Sequence, residues 1–166
     1  MTFQQEAASW IFPSRLSTSP IPSIAVNAPS TSKLPLPNPN VNPTIITFLR
    51  HCGCPFAEKT FLSFRAAASA HPSINFVAVS HSDQSATNRW LEAVGGADHV
   101  RIIVDSEREL FARWGLGWNR PTESGSRWQT SGSFAVNRNG VLRWGGAAER
   151  ADLIPDFEEA VKAVEE

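Results

Sequence analysis

The succession of apolar runs and helical stripes predicts an α/β domain: a mixed sheet flanked by helices, with an extended Pro-rich N-terminal arm. Three observations carry this. Strand-like and helix-like segments alternate from residue 45 to about residue 114, which builds a sheet with parallel members and helices on both faces. Asn139-Gly140 lies between two apolar runs, the signature of a tight hairpin, and adds antiparallel strands. With 166 residues and 42% hydrophobic content, the chain is long enough to bury one core. We read residues 1–44 as the arm and 45–166 as the domain.

Residues 5–12 fit a short amphipathic helix. Residues 13–44 are dense in proline, which forbids a continuous helix. Ile21, Ile24, Val26, Leu34 and Leu36 are spaced through that stretch, as expected of an arm packed across the domain. Residues 45–49 form an apolar run fit for a strand buried on both faces. Ala57, Phe61, Phe64 and Ala68 then recur at helical spacing. Pro55 suits the first position of that helix, where a backbone N–H has no partner anyway, and this makes Cys54 the N-cap. Pro72 ends the helix.

Residues 74–80 are a second strand, and 83–94 a helix with Ala86, Trp90, Ala93 and Val94 on its inner face, stopped by Gly95-Gly96. A third strand spans 100–104. In the next helix Ser106 and Glu109 have capping-box spacing, and Leu110, Phe111 and Trp114 face inward. Residues 116–131 are a long polar loop carrying Trp118 and Trp128. The hairpin strands follow at 134–137 and 141–144, then a helix at about 152–164 presenting Leu153, Phe157, Val161 and Val164.

A net charge of −1 without a basic block argues against nucleic acid or an anionic membrane surface as partner. No run of 18 apolar residues is present to span a bilayer, and the first residues lack the basic and apolar regions of a secretory signal. The expected location is cytoplasmic. Cys52 and Cys54 are the only cysteines. One residue apart, they cannot frame a domain with disulfides, and in a reducing compartment such thiols are more often catalytic, redox-active or metal-binding.

Both follow the first strand, and ligands of such sheets bind beyond the carboxyl ends of the strands. Cys54, as N-cap, meets unpaired N–H groups at the positive end of a helix dipole, an arrangement that favours a thiolate. Arg50 and His51 are close in sequence, and Gly53 permits a tight bend. The plainer alternative is that a cysteine here is a small buried hydrophobe. A metal is not expected: His51, Cys52 and Cys54 offer three donors, whereas zinc takes four and no second paired motif is visible. His71, His81 and His99 are scattered and expected to face solvent.

FLRHCGCPFAEKTF (48–61) resembles the active-site segment of the thioredoxin-fold alkyl hydroperoxide reductase/thiol-specific antioxidant group, in its peroxiredoxin-like branch, where a strand ends in F-x-R-H before Gly-Cys-Pro and a helix. VDSERELFARWGLG (104–117) and WQTSGSFAVNRNGVLRW (128–144) resemble two further segments of that group. The resemblance spans about residues 45–164 and implies a thioredoxin-like, peroxiredoxin-like fold.

It also implies an antioxidant thiol peroxidase or disulfide oxidoreductase without cofactor. Cys54 matches the nucleophilic cysteine. Arg50 would stabilise the thiolate and the leaving oxygen. Ala57 stands where relatives often carry a second cysteine, so Cys52 or an external thiol would resolve the oxidised Cys54. His51 replaces the usual Thr or Ser, and Ser131 falls near the usual cis-proline. His51, Pro55, Trp128, Thr130, Ser131 and Gly132 are the candidate substrate-binding residues. The implied partners are a peroxide or disulfide and a reductant of thioredoxin or glutathione type, and a homodimer is a compatible assembly. The alternative function keeps the fold without redox turnover, binding a small molecule or partner or running a pathway-specific reaction in the same pocket.

Overall fold

The computed structural model of the protein describes residues 42–116, 129–150 and 152–165. The expected arm through residue 41, Trp118 and Trp128 lie outside these residues. Among the described residues five strands and four helices follow in the expected order: β1 (Thr44–Phe48), α1 (Pro55–Ala70), β2 (Asn75–Ser80), α2 (Gln84–Ala93), β3 (Val100–Val104), α3 (Glu109–Arg113), β4 (Gly132–Val136), β5 (Leu142–Ala147) and α4 (Phe157–Glu165). The sheet order is β3-β2-β1-β4-β5. β1, β2 and β3 run parallel, and β4 is antiparallel to β1 and to β5. This is the mixed sheet flanked by helices that the sequence predicts.

Strand pleating divides the core in two. Ile45, Phe76, Ala78 and Ala135 face one layer with α1, α4 and Trp90 of α2. Ile46, Phe48, Val77, Val79 and Phe134 face the other, with Phe111, Trp114 and Leu116. Phe48 sits at the centre of the second layer, edge-on to Phe111 at 4.9 Å and to Phe134 at 5.9 Å. These packed aromatics fix the carboxyl end of β1. Among the described residues no helix is long and apolar enough to cross a membrane.

Several local expectations need correction. α3 is capped by Asp105, whose carboxylate accepts the N–H groups of Glu109, Leu110 and Phe111 at 3.1, 2.9 and 3.2 Å, and not by a Ser106–Glu109 box. The last helix starts at Phe157 rather than 152: Pro155 keeps Ile154 out of the helical region, and Asp156 accepts from Glu158 and Glu159. Leu153 is accordingly exposed, as is Ala93, which lies off the inner stripe of α2. His81 is buried rather than solvated. Arg65 of α1 donates to the Val94 and Gly96 carbonyls at 2.9 and 2.6 Å, closing the carboxyl end of α2 beside its glycines.

Candidate active site

The connection from β1 to α1 is one hydrogen-bonded turn. Leu49 N–H still pairs with Val79 C=O at 2.9 Å, extending the β1 ladder. The chain then bends through His51-Cys52-Gly53-Cys54, closed by Cys54 N–H donating to His51 C=O at 3.3 Å. Its third residue, Gly53, has φ +91, as a type II turn requires and as glycine alone adopts without cost. Cys54 follows in extended conformation as N-cap of α1, with Pro55 at the first helical position, as the sequence predicts. The Cys54 side chain makes no capping hydrogen bond to the helix terminus.

The two thiols occupy different surroundings. Both are free and buried. Cys52 N–H donates to Ser82 Oγ at 3.2 Å, and Cys52 Sγ lies 3.7 Å from Ser80 Oγ and 3.9 Å from Thr87 Oγ1. Cys52 is therefore held against the end of β2 and the start of α2. Neither Ser80, Ser82 nor Thr87 was singled out by sequence reasoning. Their only signal was hydroxyl residues at positions where the strand and helix patterns expect apolar ones.

His51 is buried, and its Nδ1–H donates to the Cys52 carbonyl at 3.0 Å, which fixes its tautomer. Its carbonyl and its ring both serve the turn. His81 lies edge-on to Phe111 at 5.3 Å, and neither ring nitrogen has a hydrogen-bond partner. Burial, then the nearby charges of Arg108 and His51, lower its pKa to about 3, so the ring is neutral at physiological pH. Burial likewise pulls Arg108 down, with Asp105 and Glu107 acting against it. Among the described residues no three His, Cys, Asp or Glu side chains converge as metal ligands.

A cavity of about 350 Å³ opens beside the turn, on the sheet face that carries α1 and α4. Arg50, Phe56 and Ala57 form one wall, Trp144 and Leu153 another, and the Thr47–Ser133 hydroxyl pair, 2.9 Å apart, lies at its base. Phe56 and Leu153 are large apolar side chains left exposed at this cavity. Ser131 and Gly132 line it; Cys52, Cys54, His51, Pro55 and Thr130 do not. Pro55 is exposed and Thr130 half-buried. The Ser131 carbonyl accepts from Ala148 N–H at 2.8 Å, and that of Thr130 from Gln129 Nε2 at 3.2 Å. Gly132 is required sterically, because a Cβ there would stand 2.9 Å from the Gly146 carbonyl oxygen on the paired strand. The structure thus gathers Arg50, Ser131 and Gly132 around one cavity, with Cys54 four residues past Arg50 on the adjoining turn.

No protein-family model and no curated protein sequence matches the chain. Solved structures match its fold. A peroxiredoxin-like protein from Aquifex aeolicus superposes with a TM-score of 0.63 at 15% identity, over 75% of this chain and 71% of that one. A thiol peroxidase from Chromobacterium violaceum gives 0.60 at 16% identity, over 75% and 71%. A secreted Mycobacterium tuberculosis disulfide oxidoreductase homologous to E. coli DsbE gives 0.54 at 18% identity, over 76% and 82%. The fold is thioredoxin-like, of the peroxiredoxin type.

Proposed function

We propose that the protein is a thiol-dependent oxidoreductase of the peroxidase type, with Cys54 as nucleophile. The observation that supports this most is Cys54 itself: the N-cap of α1, just past the β1 terminus, with no capping hydrogen bond from its side chain. Unpaired N–H groups of the first helical turn favour negative charge at that position. Cys54 sulfur attacks the terminal oxygen of a hydroperoxide, R–O–OH. The S–O bond forms, the O–O bond breaks, and R–O⁻ takes up a proton, leaving Cys54 sulfenic acid and R–OH. Arg50 steadies the leaving oxygen. An external thiol, R′–SH, then attacks the sulfenic sulfur, forming a mixed disulfide and releasing water. A second R′–SH returns Cys54 to the thiol and leaves R′–S–S–R′.

The apolar cavity accommodates the organic part of the substrate, with Ser131 and Gly132 at its edge. Thr130, His51 and Pro55, which do not line the cavity, and Trp128 remain the other candidate substrate contacts in this reading. The reductant is of thioredoxin or glutathione type. A binding role without turnover is the competing reading, favoured by a cavity whose lining does not include Cys54. Treatment with one equivalent of cumene hydroperoxide separates the two. The expected product carries one added oxygen on intact mass, loses one titratable thiol, and does not form in Cys54→Ser. If both thiols survive stoichiometric oxidant unchanged, binding without turnover replaces the peroxidase.

A further inference from the structure

Ser80, Ser82 and Thr87 form a hydroxyl network around Cys52. Thr87 Oγ1–H donates to the Ser82 carbonyl at 3.4 Å. Ser80 and Thr87 hydroxyls are 3.0 Å apart, and either can donate to the other. Ser82 N–H donates to Ser80 Oγ at 3.2 Å. Cys52 enters with two groups: its N–H to Ser82 Oγ, and its S–H to Thr87 Oγ1 at the long distance usual for sulfur. Ser82 and Thr87 are fully buried and Ser80 nearly so, so none of these hydroxyls can turn to water if a partner leaves.

Such a network is not needed for packing, since apolar residues would fill the same positions. What it joins is informative. Cys52 is the second residue of the turn that ends at Cys54, so the network fixes the turn to β2 and α2 from outside the local chain. We infer that Cys52, held by Ser80, Ser82 and Thr87, is a positioning residue that sets where the Cys54 sulfur stands, and is not the thiol that resolves oxidised Cys54. This rests on the nucleophilic role of Cys54 proposed above. To attack a Cys54 sulfenic acid, the Cys52 sulfur would have to leave two hydroxyls and bend back across Gly53 into a strained ring. The external thiol meets no such requirement.

The test uses the full chain and two reagents: cumene hydroperoxide, and iodoacetamide, which reports Cys54 accessibility and placement whether or not a peroxide reacts. Ser82→Ala and Cys52→Ala are expected to slow Cys54 oxidation about tenfold or more, the scale of a misplaced reacting group. The concentration giving half-maximal rate should not change, because the cavity is untouched. Ser82→Thr and Cys52→Ser, which keep a hydrogen-bonding group at each position, should restore the rate. Oxidised wild-type protein should contain Cys54 sulfenic acid, or its mixed disulfide with added thiol, and no Cys52–Cys54 disulfide. Unchanged rates in both alanine variants would overturn the inference, as would an intramolecular disulfide in the wild type. Should Ser82→Ala not fold, the Cys52→Ala and Cys52→Ser pair decides alone. Wild-type Cys54 no faster than free cysteine toward the hydroperoxide would remove the peroxidase reading, while iodoacetamide rates would still measure the network.

Discussion

The His81 ring packs against the edge of Phe111 with its pKa lowered from 6.5 to about 3, chiefly by burial and then by Arg108 and His51. The unfolded chain takes up a proton near pH 6.5 and the folded chain does not. The native state therefore holds its full stability above pH 6.5 and loses it progressively as pH falls toward 3. The loss attributable to this one group is at most about 5 kcal/mol, the pKa gap expressed as free energy. Urea denaturation at pH 7 and pH 4.5 measures it, and His81→Leu should flatten the difference. Two glycines give a second comparison at this scale. Gly53 has positive φ but open space, so Gly53→Ala should cost only the conformational strain, about 1–2 kcal/mol. Gly145 has φ +108, and a Cβ there would lie 1.9 Å from Ser133 O, so Gly145→Ala should destabilise more, about 2–4 kcal/mol, with a lower denaturation midpoint. At this scale the sequence showed Cys54 as N-cap and Gly53 as the bend, because both follow from neighbours in the chain. It did not show His81 buried or Cys52 held, because Phe111, Ser80 and Thr87 reach them only through the fold.

Helix boundaries are decided by which side chain reaches the first N–H groups. For α3 that residue is Asp105, one position ahead of the capping box that the spacing suggested, with Arg108 in the left-handed region to make the turn. Asp105→Ala should cost about 1–2 kcal/mol, as a lost cap does, while Ser106→Ala should lie within about 0.5 kcal/mol of the wild type; thermal denaturation of the pair checks both. The α4 boundary was legible in principle. Pro155 and Asp156 mark it, but the apolar Leu153 at helical spacing outweighed them. Element type was readable throughout because alternation and 3.6-residue stripes are local and strong. The Arg65 closure of α2 was not, because it crosses from another helix.

At the scale of the molecule, β1 lies central in the sheet, and its carboxyl end and the start of α1 meet β4, β5 and the segment before α4 around one cavity. Those pieces are far apart in the chain, from Thr47 to Asp156, so the cavity had no trace in the sequence, whereas the sheet that assembles it followed from strand-helix order and the hairpin. The fold places Cys54 where such sheets carry their chemistry. The most direct measurement is the second-order rate constant of Cys54 with cumene hydroperoxide, followed by tryptophan fluorescence or quench-flow mass analysis. We expect at least about a hundredfold over free cysteine at the same pH, the scale of preorganised electrostatic stabilisation, with the advantage lost in Cys54→Ser. A rate equal to that of free cysteine would contradict the nucleophilic role of Cys54.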